Sequence, residues 1–291
     1  MKVALTGATG YIGSHILTEL QAHGHDVVAL VRNDTEGAKV SDRATPSVID
    51  LYDRPGVAGL LSDADAAIHT ASPGDATSAD LDSAVVDAVI DAYDGTGKPY
   101  LQISGLWIYG KNVNIVEESP LDSPAMVAWK PPIERRMLGA RDMRGVVITS
   151  ASAYGDAGGG IPGLLLGSPR DDAGNLIMVG SGQQHWPTIH VADLAAFFRR
   201  VLEDDSARGR YVVSNGVRSS AAELTQAAAV AAGGSGAVPG SEDEARQRLG
   251  DAFAPVMLLD QFTAATKARS LGWTPTRPTL IEEFREGSYR T

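Results

Sequence analysis

The chain has 291 residues, 43% of them hydrophobic, enough for one large α/β unit or for one domain with a smaller partner. A formal net charge of −11 argues against nucleic acid or an anionic membrane surface as a partner, and the absence of cysteine excludes disulfides, thiolate catalysis and cysteine zinc sites. No apolar run approaches the ~20 residues of a membrane span, and Met1 leads almost directly into an apolar strand, so a soluble cytoplasmic protein without a signal peptide is expected.

Lys2 to Thr6 predicts a short first strand. Gly7, Gly10 and Gly13 follow at a spacing of three, while Ile12, Ile16, Leu17 and Leu20 recur at helical spacing, so a helix opens inside the glycine run. Strand, glycine turn and helix form the context a dinucleotide fingerprint needs. A side chain at Gly7 or Gly10 would hold the backbone away from a pyrophosphate, and Gly13 lets the helix pack closely on the strand. The N–H groups of the helix start, helped by the helix dipole, then face the phosphates.

Asp26 to Val31 predicts the second strand, followed directly by Arg32. A carboxylate at this strand end accepts hydrogen bonds from the adenosine ribose, whereas an arginine pairs with a 2′-phosphate. Arg32 therefore favours NADP(H) over NAD(H), with Asp34 as a rival that favours NAD(H). Ser47 to Ile49 predicts a third strand ending in Asp50-Leu51; Asp50 is either a cofactor residue or the cap of a helix near Arg54 to Leu61. Ala66 to Ser72 predicts the fourth strand and its exit, where small residues let the backbone approach a ribose and diphosphate. His69, inside that apolar strand, reads as a packed core histidine. Leu81, Val85, Ala88, Val89 and Ala92 mark one helix face. Lys98–Ser104, Gly145–Thr149 and Tyr211–Val213 predict further strands, and Gly155–Gly167 and Gly233–Gly240 read as glycine-rich loops, the first of them mobile.

The run TGATGYIG, a TGxxGxxG spacing, resembles the start of the extended short-chain dehydrogenase/reductase family, the NAD-dependent epimerase/dehydratase group. Ser104–Gly110 (SGLWIYG) resembles that family's serine-rich strand end and VYG turn. Trp186–Ala195 resembles its IHVxDLA signature, with His190 and Asp193 as structural residues, and Leu271–Pro275 matches LGWxP. The resemblance runs from residue 3 to about residue 285. It implies an α/β Rossmann fold, a doubly wound parallel sheet with a smaller C-terminal substrate domain. The expected division is 1–155 plus 188–215 for the dinucleotide and 156–187 plus 216–291 for the substrate. The implied cofactor residues are Gly7, Thr9, Gly10, Tyr11, Ile12, Gly13, Arg32, Asp50, Leu51, Thr70, Ala71, Ser72, Ser104 and Lys130.

Family members usually carry Tyr-x-x-x-Lys and a Ser or Thr for acid/base work on a carbonyl or alcohol. The matching helix here is expected over Ser123–Leu138, opened by Ser123-Pro124. With Glu134 four residues after the lysine, Lys130 takes the lysine position and Met126 the tyrosine position; the reactive Ser/Thr falls on Gly105. None of the eight tyrosines is followed four residues later by lysine. Pro131 and Pro132 predict a kink just after Lys130. Three functions stay open. One is an NADP(H)-dependent reductase of a C=O, C=N or C=C bond, with Lys130, Tyr154 or His185 as replacement acid or base. The second is a non-redox isomerase, lyase or cyclase, and the third an NADP(H) sensor resembling NmrA-like regulators. Trp107, Trp129 and Trp186 favour an enzyme with an apolar pocket, expected to be lined by Gly105, Trp107, Met126, Tyr154 and His185. A small, neutral, largely apolar substrate is expected, with no metal, no nucleic acid and no membrane, in a monomer or homodimer.

Overall fold

The computed structural model describes residues 1–290. Its strands are β1 (Lys2–Thr6), β2 (Asp26–Val31), β3 (Thr45–Val48), β4 (Ala66–His69), β5 (Pro99–Gly105), β6 (Arg144–Ser150), β7 (Ser152–Tyr154), β8 (Leu176–Ile177), β9 (Thr188–His190), β10 (Gly209–Val213) and β11 (Ala237–Val238). Seven of them form one sheet in the order β10-β6-β5-β4-β1-β2-β3, and β7–β9 and β8–β11 form two small pairs. β1 runs parallel to both β2 and β4, β2 to β3, and β4 to β5. The first strand is thus interior, and the strand order reverses between β1 and β4, the topological switch point at which doubly wound sheets take ligands. Burial of Val3, Ala4 and Leu5 follows from that position, because a parallel strand is covered on both faces.

The helices are α1 (Tyr11–Ala22), α2 (Asp34–Ala38), α3 (Arg54–Ser62), α4 (Ser78–Tyr93), α5 (Lys130–Leu138), α6 (Gly160–Leu166), α7 (Val191–Leu202), α8 (Ala221–Ala231), α9 (Glu242–Met257), α10 (Thr266–Ser270) and α11 (Leu280–Glu286). The chain separates into two compact units. The first holds Met1–Ser104, Trp129–Ile148 and Ala195–Tyr211, and the second Gly105–Ala128, Thr149–Leu194 and Val212–Thr291. The core of the first is built from α3, α4 and α5 residues such as Val57, Leu61, Val89 and Met137, with Ala67, Tyr100 and Val147 of the sheet. The core of the second gathers Tyr154, Leu165, Trp186, Leu224, Ala228, Met257 and Phe284.

Several local expectations change. Residues 105–128 lie in the second unit rather than with the dinucleotide strands. Backbone carbonyls of Leu106 and Gly110 accept from Gln261 Nε2, and the Ile115 N–H reaches the Phe262 carbonyl. The expected loop Gly155–Gly167 contains helix α6, whose buried Ile161, Pro162 and Leu165 outweigh its glycines. Ser123-Pro124 opens only a 3-10 turn, Ala125–Val127. The α-helix begins at Lys130, which puts Pro131 in the first turn, where the missing N–H has no intrahelical acceptor anyway. No kink inside the helix is required.

Arg144, buried at the start of β6, closes the C-terminal end of α7. Its Nη1 donates to the carbonyls of Val201 and Asp204 at 2.9 and 3.0 Å, and its Nη2 to Leu202 at 2.6 Å. The Val201 and Asp204 carbonyls also accept from the N–H groups of Asp204 and Ala207, at 3.4 and 3.0 Å, whereas the Leu202 carbonyl relies on Arg144. Arg144→Met should cost about 1–3 kcal/mol, the range for one buried acceptor left without its donor. A shift of the urea midpoint would show it; an unchanged midpoint would refute it.

Candidate functional site

The glycine turn between β1 and α1 is held by its own packing. Gly7 has φ +76°, and a Cβ there would lie 2.6 Å from the Ala71 nitrogen. A Cβ at Gly13 would overlap the Gly7 carbonyl oxygen and stand 2.9 Å from Thr70 Oγ1. Gly10 differs. Its φ of −80° suits any residue, and an added Cβ would meet one neighbour, the Gly7 carbonyl oxygen at 3.3 Å. The fold needs glycine at 7 and 13, whereas position 10 keeps the helix entrance open for something outside the chain. Gly10 caps α1 with no side-chain hydrogen bond and the first turn carries no acidic residue, so the helix start presents the positive end of its dipole.

At the end of β2, Arg32 and Asp34 are both exposed, and Asn33 caps α2 by accepting from the Glu36 N–H. Glu36, absent from the sequence-derived candidates, lies beside them. Hydrogen bonds from Lys39, at 2.7 Å, and from Thr9 hold its carboxyl below the usual range. Asp50 accepts from the Tyr52 N–H in a tight turn, and Asp53, not Asp50, caps α3. Leu51 is buried beneath it. The Thr70 and Ala71 N–H groups both approach Thr6 Oγ1 at 3.3 Å, and Ser72 meets Ser78 at 3.3 Å. Ser104, at the carboxyl end of β5, buries its hydroxyl oxygen without a partner among the described residues. An orphan hydroxyl at a strand end and an open helix entrance at the switch point both fit a dinucleotide.

Lys130 opens α5. Its ammonium donates to Asp82 Oδ2 at 3.3 Å and lies 4.2 Å from the centroid of the Trp129 ring. Asp82, buried on α4, also accepts from Gln102 Nε2 at 3.1 Å and meets His69 Nε2 at 3.2 Å. Burial alone would raise the Asp82 carboxyl, but hydrogen bonds and charge from His69 and Lys130 bring it below its ordinary value. His69 is thus a buried member of a polar chain rather than a purely packed residue.

In the second unit, Gly105 caps the 3-10 turn Leu106–Tyr109, and Trp107 stacks edge-on against Phe253 at 5.9 Å. Met126 is exposed. Trp186 belongs to the core, its indole N–H donating to the Met257 carbonyl at 2.9 Å. Tyr154 is buried with its hydroxyl donating to the Pro278 carbonyl at 2.6 Å, and burial pushes its pKa far up. That commitment leaves Tyr154 a packing role. His185 is the sequence-derived acid/base candidate that stays available. Its Nδ1 lies 2.8 Å from Asp260 Oδ1, the same oxygen accepts its backbone N–H at 2.9 Å, and its ring is 23% exposed. Burial would raise Asp260, but the hydrogen bonds from His185 hold it below its usual value. Asp193 accepts from Thr276 and Arg277 N–H groups and His190 Nδ1 from the Ala192 N–H, so both are structural, as expected.

Residues 7–123 match the family model described as NAD(P)H-binding. Over nearly its whole length the chain is similar to an uncharacterized protein of Schizosaccharomyces pombe, 24% identical with 99% of this chain and 100% of that protein covered. The epimerase family protein SDR39U1 of Mus musculus is 26% identical, with 98% and 99% covered. The chain thus carries an NAD(P)H-binding domain over residues 7–123 and is similar to an epimerase family protein along nearly its whole length. Solved structures bear out the doubly wound fold. Human SDR39U1 isoform 2 with NADPH gives a TM-score of 0.79 at 22% identity, covering 99% of each chain. A UDP-glucose-4-epimerase from Stenotrophomonas maltophila with bound NAD gives 0.76 at 20%, covering 99% of this chain and 97% of that one.

Among the residues of the site, sequence reasoning missed Glu36, Asp82, Gln102 and Asp260. Only Asp82 carried a signal, an acidic residue beside Leu81 on the otherwise apolar face of α4. Among the described residues, no helix is long and apolar enough to cross a membrane.

Proposed function

We propose that this protein is a member of the extended short-chain dehydrogenase/reductase family and an NADP(H)-dependent reductase of a C=O, C=N or C=C bond in a small, largely apolar metabolite. The observation that carries the proposal is the His185–Asp260 pair: a half-buried imidazole with one nitrogen held by a carboxylate, in a chain without Tyr-x-x-x-Lys. Its Nε2 has no hydrogen-bond partner among the described residues, and a positioned imidazole can pass a proton to a reacting group. When bound, the reduced nicotinamide supplies the hydride. The chain supplies the rest. The glycine turn and α1 hold the diphosphate, Arg32 faces the 2′-phosphate, and Lys130, with one N–H on Asp82, offers the others to the nicotinamide ribose. The structure of human SDR39U1 with NADPH supports the choice of nucleotide.

The test is to incubate the protein with NADPH and a panel of carbonyl, imine and enone compounds and follow the absorbance of the reduced nicotinamide. Consumption coupled to product supports the reductase. Conversion without NADPH consumption makes the protein an isomerase, lyase or cyclase, and binding without conversion makes it a sensor. In parallel, Arg32→Ala should weaken NADPH about ten- to a hundredfold, the size of one lost charge-assisted contact, and leave NADH unchanged. Equal affinity of wild type and variant for NADPH in a calorimetric titration would take Arg32 out of the site.

A further inference from the structure

A continuous chain of buried polar groups runs inside the first unit from the start of α5 to the glycine turn. Lys130 Nζ donates to Asp82 Oδ2 at 3.3 Å, and Asp82 Oδ1 meets His69 Nε2 at 3.2 Å. His69 Nδ1 lies 2.6 Å from Thr6 Oγ1, which also receives the N–H groups of Thr70 and Ala71. Thr70 Oγ1 donates back to the Thr6 carbonyl at 2.8 Å, and Gly7 packs directly on Thr70 and Ala71. Asp82, His69, Gln102 and Thr6 are all buried.

His69 bridges the two ends of this chain, with Nε2 toward Asp82 and Nδ1 toward Thr6. Gln102 adds a neutral donor to Asp82 at 3.1 Å, with its amide oxygen 3.5 Å from the Tyr100 hydroxyl. Asp82 is the one carboxylate of the chain, and Lys130 is the ammonium that donates to it. A buried carboxylate that accepts from an ammonium fixes that ammonium in place.

We infer that Asp82 is a positioning residue, which acts through Lys130 to set the ammonium for the nicotinamide ribose and ties it through His69 and Thr6 to the glycine turn; this rests on the dinucleotide role proposed for Lys130. Lys130 is then a fixed cation and not the proton source, which leaves that task to another group. The effect should be confined to the nicotinamide half of the nucleotide, because Lys130 is not assigned to the adenosine end.

The test compares NADPH with adenosine 2′,5′-bisphosphate, which lacks the nicotinamide riboside. Asp82→Asn keeps the shape but removes the charge. It should raise the Kd of NADPH by about tenfold, the scale of a hydrogen bond to a charged group, and leave that of the bisphosphate unchanged. Equal losses on both ligands would mean that Asp82 merely supports the fold, and no loss on either would mean that it does not position Lys130; each overturns the inference. If Asp82→Asn does not fold, the double variant Asp82→Asn with Lys130→Met removes both charges together. Its NADPH-to-bisphosphate ratio should equal that of Lys130→Met alone, and a further drop overturns the inference. Wild-type protein that binds NADH instead is assayed with NADH and adenosine monophosphate on the same terms, which separates a wrong nucleotide from a wrong role for Asp82. Wild-type protein that binds no nicotinamide nucleotide defeats the proposed function, and this inference with it.

Discussion

Gly13→Ala is expected to abolish dinucleotide binding and to destabilise the protein by roughly 3 kcal/mol, the upper end for forcing a methyl into packed structure. The added Cβ would overlap the Gly7 carbonyl oxygen, lie 2.7 Å from the Gly7 carbonyl carbon and press on Thr70 Oγ1 at 2.9 Å. Two of those three neighbours are backbone atoms of a turn already held at positive φ and packed on the exit of β4. Neither can move without pulling α1 off the sheet. Gly10→Ala separates the two consequences. Its Cβ meets the Gly7 oxygen alone, at 3.3 Å, so the fold should persist with a small loss of stability while nucleotide affinity falls steeply. Urea unfolding and nucleotide titration of both variants decide the matter. A Gly13→Ala protein with wild-type stability would contradict the packing, and a Gly10→Ala protein with wild-type affinity would remove the turn from the binding site.

His185→Ala should lower kcat by about 10²–10⁴-fold in the reductase assay, the usual contribution of a general acid, with little change in the Kd of NADPH. Asp260→Asn should have a smaller effect in the same direction. An amide still accepts from the His185 backbone but no longer stabilises the charged imidazole. Tyr154→Phe is the contrasting case, since its hydroxyl is spent on the Pro278 carbonyl and the loss should appear in stability rather than turnover. Wild-type kcat in His185→Ala would exclude this residue as the donor.

The doubly wound fold and the dinucleotide turn are properties of the sequence by itself, because their determinants are local. Glycines three apart between an apolar strand and a helical repeat specify a backbone path within a dozen residues, and the IHVxDLA and LGWTP stretches mark its later turns. The start of α5 was less legible, since Ser123-Pro124 is as good a helix opening as Lys130-Pro131 and only the surrounding packing selects the second. The chemistry of the site belongs to the tertiary structure. His69 and Asp82, Asp82 and Lys130, and His185 and Asp260 are separated by 13, 48 and 75 positions. No periodicity connects residues at such distances, and what a carboxylate or an imidazole can do is set by the partner that the fold brings to it. The same holds for Tyr154, a plausible acid in the sequence, which a carbonyl 124 positions away holds as a packing residue.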